Sequence, residues 1–499
     1  MKEIGAWARG VIAAGFDDAA LDPDLPRFGG YVLFARNAAS LEAVRALTDA
    51  LRARCGNGEV MPLVAVDQEG GRVARLRQGV ERMPSMMALG AVNDLELAGR
   101  AGEQTAFDLR RAGCTLNFAP VLDLARYPEN TVIGTRSLGS GPQAVAALGA
   151  AFGAGLTRGG VLPCYKHFPG HGATPVDSHA ALPVIDLDAS TLRRRDLVPF
   201  ATVARQAPAI MGTHAVARAF DANRPATLSR RIATDLLRGE LGFGGVFVTD
   251  CLQMAAVAEH GDVVSSAVSA LVAGADLLTV SHSVALAQEI ADAIERAVRD
   301  GSLSSQRLQE AYARVIRLRE SAARPLRPDA FPPHPGIGRE IGRRAITSVR
   351  GFAHADPLTS IAISFDGEVS EGINVAASKN PSLRREAPAL EEIELPLDPD
   401  DAQLAAALEA VRDSGRRPLL LARRAHLHPQ QARAIARIVD LYADAVVVSM
   451  LEPFDLALFS SARHVLAAYG DDPAAIGGLA DVLFGGSPPE GRLPVEVAL

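Results

Sequence analysis

Over roughly the first 300 residues, short apolar runs alternate with longer amphipathic stretches. The runs are Tyr31–Phe34, Leu63–Val66, Thr115–Phe118, Val161–Tyr165, Ala209–Met211, Gly245–Val248 and Asp276–Val280. Between them, segments such as Leu41–Arg54, Leu95–Ala112 and Pro142–Thr157 place apolar residues at helical spacing. Strand–helix alternation of this kind predicts parallel βα units, arranged as a closed barrel or an open doubly wound sheet. Two features favour the barrel. The region has the usual (β/α)8 length, and polar clusters follow many strands instead of one or two. Asp67-Gln68-Glu69 follows the second run, Asn117 to Asp123 the third, Lys166-His167 the fourth, His214 the fifth and Asp250 the sixth. Seven strands can be read this way, and the eighth is left unassigned.

The helical pattern ends with Leu303–Arg319. Next comes a stretch holding Pro325, Pro328, Pro332, Pro333 and Pro335, which reads as an extended linker. A helix is expected near Gly338–Val349. New strands are expected at Ser360–Ser364, Pro418–Ala422, Ala445–Ser449 and His464–Ala468, with helices between them. The expected fold is therefore α/β throughout. An N-terminal (β/α)8 TIM-like barrel occupies 1–322, a linker with a helix 323–356, and a second α/β sandwich domain 357–499. The polar stretch Arg423–Gln431 is expected to be an exposed loop in preference to one that reaches a neighbour.

Composition narrows the function classes. Hydrophobic residues are 48% and charged residues 22%, as in ordinary globular proteins. A formal net charge of −7 argues against nucleic-acid binding. Cys55, Cys114, Cys164 and Cys251 lie in or beside apolar runs without CxxC spacing, so buried free thiols in a reducing compartment are expected. The N-terminal residues Met1–Trp7 carry no long apolar run, and no stretch is apolar enough to span a bilayer. Neither a signal peptide nor a membrane partner is expected, and the default location is cytoplasmic.

The densest chemistry lies in 166–179, Lys-His-Phe-Pro-Gly-His-Gly-Ala-Thr-Pro-Val-Asp-Ser-His. Histidine titrates nearest neutral pH and suits proton transfer. Pro169, Gly170, Gly172 and Pro175 break helix and strand periodicity, so a loop off a buried strand is expected. His167, His171, Asp177 and His179 could instead hold zinc, but their spacing does not set two histidines on one helical face. Asp250 closes an apolar strand, where an aspartate can equally be a helix N-cap. Asp67 has the same placement, and several carboxylates at one barrel mouth raise the weight of a catalytic reading.

These residues resemble glycoside hydrolase family 3, and within it the bacterial β-N-acetylglucosaminidases (β-hexosaminidases) in their two-domain form. The resemblance rests on Asp67-Gln68-Glu69-Gly70-Gly71-Arg72-Val73, Ile133-Gly134-Thr135-Arg136-Ser137-Leu138-Gly139, Lys166 to Gly172, Asp177-Ser178-His179, Met211-Gly212-Thr213-His214, Pro225 to Ser229 and Val248-Thr249-Asp250. In the second domain it continues through Ser449 to Leu456, Leu479 to Gly486 and Gly491 to Val495. It implies a retaining exo-enzyme acting on terminal β-linked N-acetylglucosamine, with Asp250 as nucleophile. The acid/base would be His179, held by Asp177 on the same loop, since a paired aspartate orients the imidazole and raises its pKa. Asp67, Arg136, Lys166 and His167 would grip the sugar hydroxyls. His214 would line the site or, as readily, support it from behind, and His171 is expected to be structural. The family pattern carries a second acidic residue after the nucleophile, whereas this chain has Cys251.

The expected partner is a small carbohydrate, either a cell-wall fragment or a chito-oligosaccharide, with no cofactor and no metal. The rival enzyme reading is a phosphorylase that uses phosphate as acceptor on the same intermediate. The rival outside enzymes is an inactive sugar-binding protein. The pattern leaves the oligomeric state open.

Overall fold

The computed structural model describes residues 2–17, 24–54, 60–174, 182–258, 261–323, 333–367 and 382–497. Eight parallel strands close into a barrel: β1 Ile12–Gly15, β2 Gly30–Leu33, β3 Leu63–Val66, β4 Leu116–Asn117, β5 Leu162–Phe168, β6 Ala209–Gly212, β7 Val246–Cys251 and β8 Leu277–Val280. Each strand pairs with its sequence neighbour, and β8 pairs with β1 to close the ring. The unassigned strand is β1. Its Ala13, Ala14 and Gly15 lack the branched side chains that mark a strand, and it follows directly on the helix Lys2–Gly10. The small residues suit a crowded position: a Cβ on Gly15 would lie 2.1 Å from the Ser281 carbonyl oxygen.

Strand alternation sorts the two barrel surfaces. Ala13, Val32, Leu63, Ala65, Leu116, Leu162, Cys164, Met211 and Val248 cluster inside. Val64, Val66, Tyr165, Ile210, Phe247 and Leu278 pack outward under the helices. The helix Ser305–Ala322 sends Val315 and Leu318 into the interior cluster. Cys114 and Cys164 are buried as expected, Cys251 is partly buried, and Cys55 lies outside the described residues.

The second domain is a six-stranded sheet built from β9 Thr347–Arg350, β10 Ser360–Asp366, β11 Glu391–Pro396, β12 Arg417–Ala422, β13 Val446–Ser449 and β14 His464–Ala467, in the order β9-β14-β13-β12-β10-β11. Only β9 runs antiparallel to its neighbour. Period two decides which side each residue covers. Leu419, Leu421, Val446 and Val448 meet the helix Pro473–Leu483, while Leu420, Ala422 and Val447 share a cluster with Ile435 and Ile438 of the helix Pro429–Leu441. The helix expected at Gly338–Val349 is Ile337–Ala345, and its last residues are instead strand β9. β11 is the other strand absent from the expectation, because Glu391, Glu392 and Glu394 hide its pattern. The proline-rich stretch 324–332 lies outside the described residues.

The chain end returns to the barrel. Arg492 N–H donates to Ala91 O (3.0 Å), and Ser140 N–H donates to Pro494 O (3.0 Å). The Arg423–Gln431 stretch is exposed only in part, at Leu427, Pro429 and Gln430. Arg423 and Arg424 are buried, and His426 Nε2 donates to Pro128 O of the barrel domain at 3.2 Å.

Candidate active site

The carboxyl ends of β3, β5, β7 and β8 surround a cleft of about 460 Å³, whose lining includes Asp67, Arg136, Lys166, His167, Asp250 and Ser281. Asp67 follows β3 directly. The next residue is fixed by Asn117 of β4, which donates to Gln68 O (2.9 Å) and accepts from Gln68 N–H (3.0 Å). Lys166 and His167 do not begin a loop, as the proline and glycine pattern implied. They belong to β5, which runs on to Phe168, and the turn follows at Pro169-Gly170, with Gly170 at φ of 130°.

A buried ionic cluster forms the cleft floor. Lys166 Nζ lies 2.6 Å from both Asp67 Oδ1 and Glu69 Oε1. Arg136 grips Glu69 with two parallel bonds of 2.8 Å, from Nε to Oε2 and from Nη2 to Oε1. Burial pushes the Glu69 pKa up, but Arg136 and Lys166 outweigh it and hold the carboxyl below its ordinary range. Burial likewise pulls Lys166 down, and Asp67 and Glu69 outweigh it, so its pKa sits above the lysine value. Both groups are therefore charged at neutral pH. Asp67 keeps 18% of its side chain exposed toward the cleft.

His167 is oriented by a second carboxylate. Its Nδ1 lies 2.6 Å from Asp123 Oδ2, and its Nε2 is 3.4 Å from Arg136 Nη2. Asp123 Oδ1 accepts the His171 backbone N–H at 2.6 Å. Burial drives the His171 pKa down to about 4, so that ring is neutral across the physiological range. Glu69 and Asp123, which hold Arg136, Lys166 and His167 in place, are residues that the sequence reading left without a role. Both lie in polar clusters that follow strands, but nothing in the spacing pairs them with Arg136 or His167.

Asp250 lies in β7, lines the cleft and accepts the Cys251 N–H at 2.7 Å. Burial raises the Cys251 thiol pKa, which favours the neutral thiol beside it. His214 departs from the expected substrate contact. It is fully buried, with Nδ1 2.7 Å from Thr227 Oγ1 and Nε2 3.0 Å from Cys251 O. A carbonyl can only accept, so Nε2 donates to it and Nδ1 accepts from the threonine hydroxyl. His214 thus props the strand end that carries Asp250 and is not among the residues that line the cleft. Asp177 and His179 lie outside the described residues, which stop at Thr174 and resume at Leu182. Among the described residues, no group of three or more His, Cys, Asp or Glu side chains is placed to hold a metal ion.

Residues 24–318 match the model of the glycosyl hydrolase family 3 N-terminal domain. The chain belongs to glycosyl hydrolase family 3. It is a glycoside hydrolase, and its barrel and second sheet are that family's two-domain fold. A β-hexosaminidase of Pseudomonas aeruginosa is 42% identical over 274 residues, which is 54% of this chain and 80% of that protein. A β-hexosaminidase of Chromobacterium violaceum is also 42% identical, over 52% of this chain and 72% of its own length. The solved family 3 β-N-acetylglucosaminidase of Paenibacillus sp. FPU-7 superposes with a TM-score of 0.90 at 32% identity, covering 99% of this chain and 98% of that one. A β-glucoside phosphorylase structure shares the fold at 20% identity and a TM-score of 0.82. Among the described residues of this family 3 chain, no helix is long and apolar enough to cross a membrane.

Proposed function

We propose that this protein is a retaining exo-β-N-acetylglucosaminidase that removes non-reducing terminal N-acetylglucosamine from cell-wall fragments or chito-oligosaccharides in the cytoplasm. One observation carries the reading: Asp250 and the cluster of Asp67, Glu69, Lys166, Arg136 and His167 line or floor a single cleft. A carboxylate that accepts hydroxyl hydrogens, set beside cations that can only donate, is the inventory that a polyhydroxylated ring needs. A buried ionic floor also suits a pocket that ends at the terminal sugar. The β-hexosaminidase relatives supply the acetamido sugar as the substrate class.

In this mechanism the Asp250 carboxylate attacks the anomeric carbon and forms a glycosyl ester as the glycosidic C–O bond breaks. His179, oriented by Asp177, protonates the leaving oxygen. It then takes a proton from the water that hydrolyses the ester. Both roles come from the family resemblance.

The test compares aryl β-N-acetylglucosaminide and aryl β-glucoside hydrolysis by wild type, Asp250→Ala and His179→Ala, with poor and activated leaving groups. The reading expects preference for the acetamido sugar and an inactive Asp250→Ala. His179→Ala should fail on the poor leaving group while releasing part of an activated one. Full His179→Ala activity on the poor leaving group would remove the acid/base assignment. A sugar 1-phosphate formed faster than free sugar in phosphate buffer would make the enzyme a phosphorylase.

A further inference from the structure

The two loops that carry the proposed sugar grip are both tied to the second domain, and through adjacent residues. The loop bearing Asp67 and Glu69 continues to Arg72, whose Nε and Nη2 donate to Asp471 Oδ1 (3.1 Å) and Oδ2 (2.7 Å). Asp471 Oδ2 also accepts from Arg423 Nη2 at 2.8 Å. The loop bearing Arg136 gives its Thr135 N–H to Glu452 Oε1 at 3.1 Å. Glu452 is held in turn by Arg424, through Nε at 2.7 Å and Nη2 at 2.6 Å. Arg424 Nη2 also reaches Thr131 O at 3.4 Å. The approach is close: a Cβ at Gly134 would fall 1.9 Å from Glu452 Oε1, and Gly134 has φ of 39°.

Arg423 and Arg424 follow β12 and send their side chains to different carboxylates. Arg424 takes a φ of 53°, a left-handed conformation that a long side chain seldom adopts, and is 1% exposed. Buried ion pairs are poor sources of stability compared with apolar packing, so a doubled one at a domain junction calls for another explanation. Bidentate guanidinium–carboxylate pairs fix distance and angle, and those are what a grip on hydroxyl stereochemistry requires.

We propose that the second domain is a positioning unit for the active site. Arg423–Asp471 sets the Asp67/Glu69 loop through Arg72, and Arg424–Glu452 sets the Arg136 loop through Thr135. The inference rests on the glycone-binding role given above to Asp67 and Arg136. None of Arg72, Arg423, Arg424, Glu452 or Asp471 is a catalytic residue; each acts through the loop it holds.

The deciding experiment uses the full chain and the variant Glu452→Asp, which keeps the charge but withdraws the carboxylate by one methylene from Thr135. KM and kcat are measured on aryl β-N-acetylglucosaminide and its 4-epimer, per active enzyme counted with a mechanism-based inactivator. The expected result is a KM raised on the order of tenfold and a severalfold narrower preference between the two epimers. A lowered melting temperature with wild-type KM and wild-type preference would overturn the proposal and leave the junction merely structural. If Glu452→Asp fails to fold, Arg72→Lys at the other tether gives the same readout. A wild type without glycosidase activity would remove the sugar-binding reading first, and that result differs from an active wild type with an indifferent Glu452→Asp.

Discussion

The two ends of the barrel each bury a carboxylate among cations, and they do different things. At the amino-terminal end, Asp276 is fully buried and receives Arg238, Arg307 and Arg314 as well as the Phe247 N–H. Its oxygens are taken up by the protein, and the surrounding helices close over them. At the mouth, Lys166 and Arg136 hold Glu69 in the same manner, but Asp67 beside it remains partly open to the cleft. Clustered buried charge is thus no signature of function by itself. The mouth differs in that its charges end at a cavity shared with Asp250.

That contrast breaks if mutations at the two ends act alike. The largest separation is expected from Asp250→Ala. It should lose on the order of 10³-fold or more in kcat/KM with little change in melting temperature, measured by steady-state kinetics and calorimetry side by side. Next is Arg136→Lys, which keeps the charge but loses the fork that fits Glu69. We expect kcat/KM to fall roughly 10²-fold, most of it through KM on the acetamido substrate. At the opposite end, Asp276→Ala leaves three arginines short of their carboxylate and should cost about 3–5 kcal/mol in denaturant unfolding. The surviving folded enzyme should keep kcat/KM within about twofold. An activity loss at Asp276 as steep as that at Arg136 would erase the distinction.

A smaller effect sharpens the mouth alone. The folded pKa of His171 is depressed to about 4, so the unfolded chain binds more protons between that value and the ordinary histidine pKa. The His171 contribution to stability should therefore rise with pH across about pH 4 to 6.5, by up to about 1.4 kcal/mol per pH unit. His171→Asn should remove that contribution, so the wild-type minus variant difference in stability should grow with pH over this window, and melts taken at intervals of pH would show it.

Sequence pattern exposed the scaffold better than the site's supports. β2 to β8 were legible because Val, Ile and Leu concentrate in short runs, while β1 is alanine and glycine, and β11 carries glutamates. Asp67, Lys166, His167 and Asp250 stood out because each follows or ends such a run. Glu69 and Asp123 did not, because their roles depend on arginine and histidine partners 67 and 44 residues away. Both places stayed open for His214 for the same reason: Thr227 and the Cys251 carbonyl, which hold it, come from other segments. Arg423 and Arg424 read as a solvated loop because charge suggests exposure, and only the fold brings Asp471 and Glu452 to them.

The most direct test of the mouth as a glycosidase centre is to trap the intermediate. A slow 5-fluoro aryl β-N-acetylglucosaminide, followed by intact-mass and peptide mass spectrometry, reads both the adduct and its position. A mass gain of one sugar on the peptide containing Asp250, absent in Asp250→Ala, is the predicted result. An adduct on another residue, or turnover with inversion at the anomeric carbon and no adduct, would contradict it.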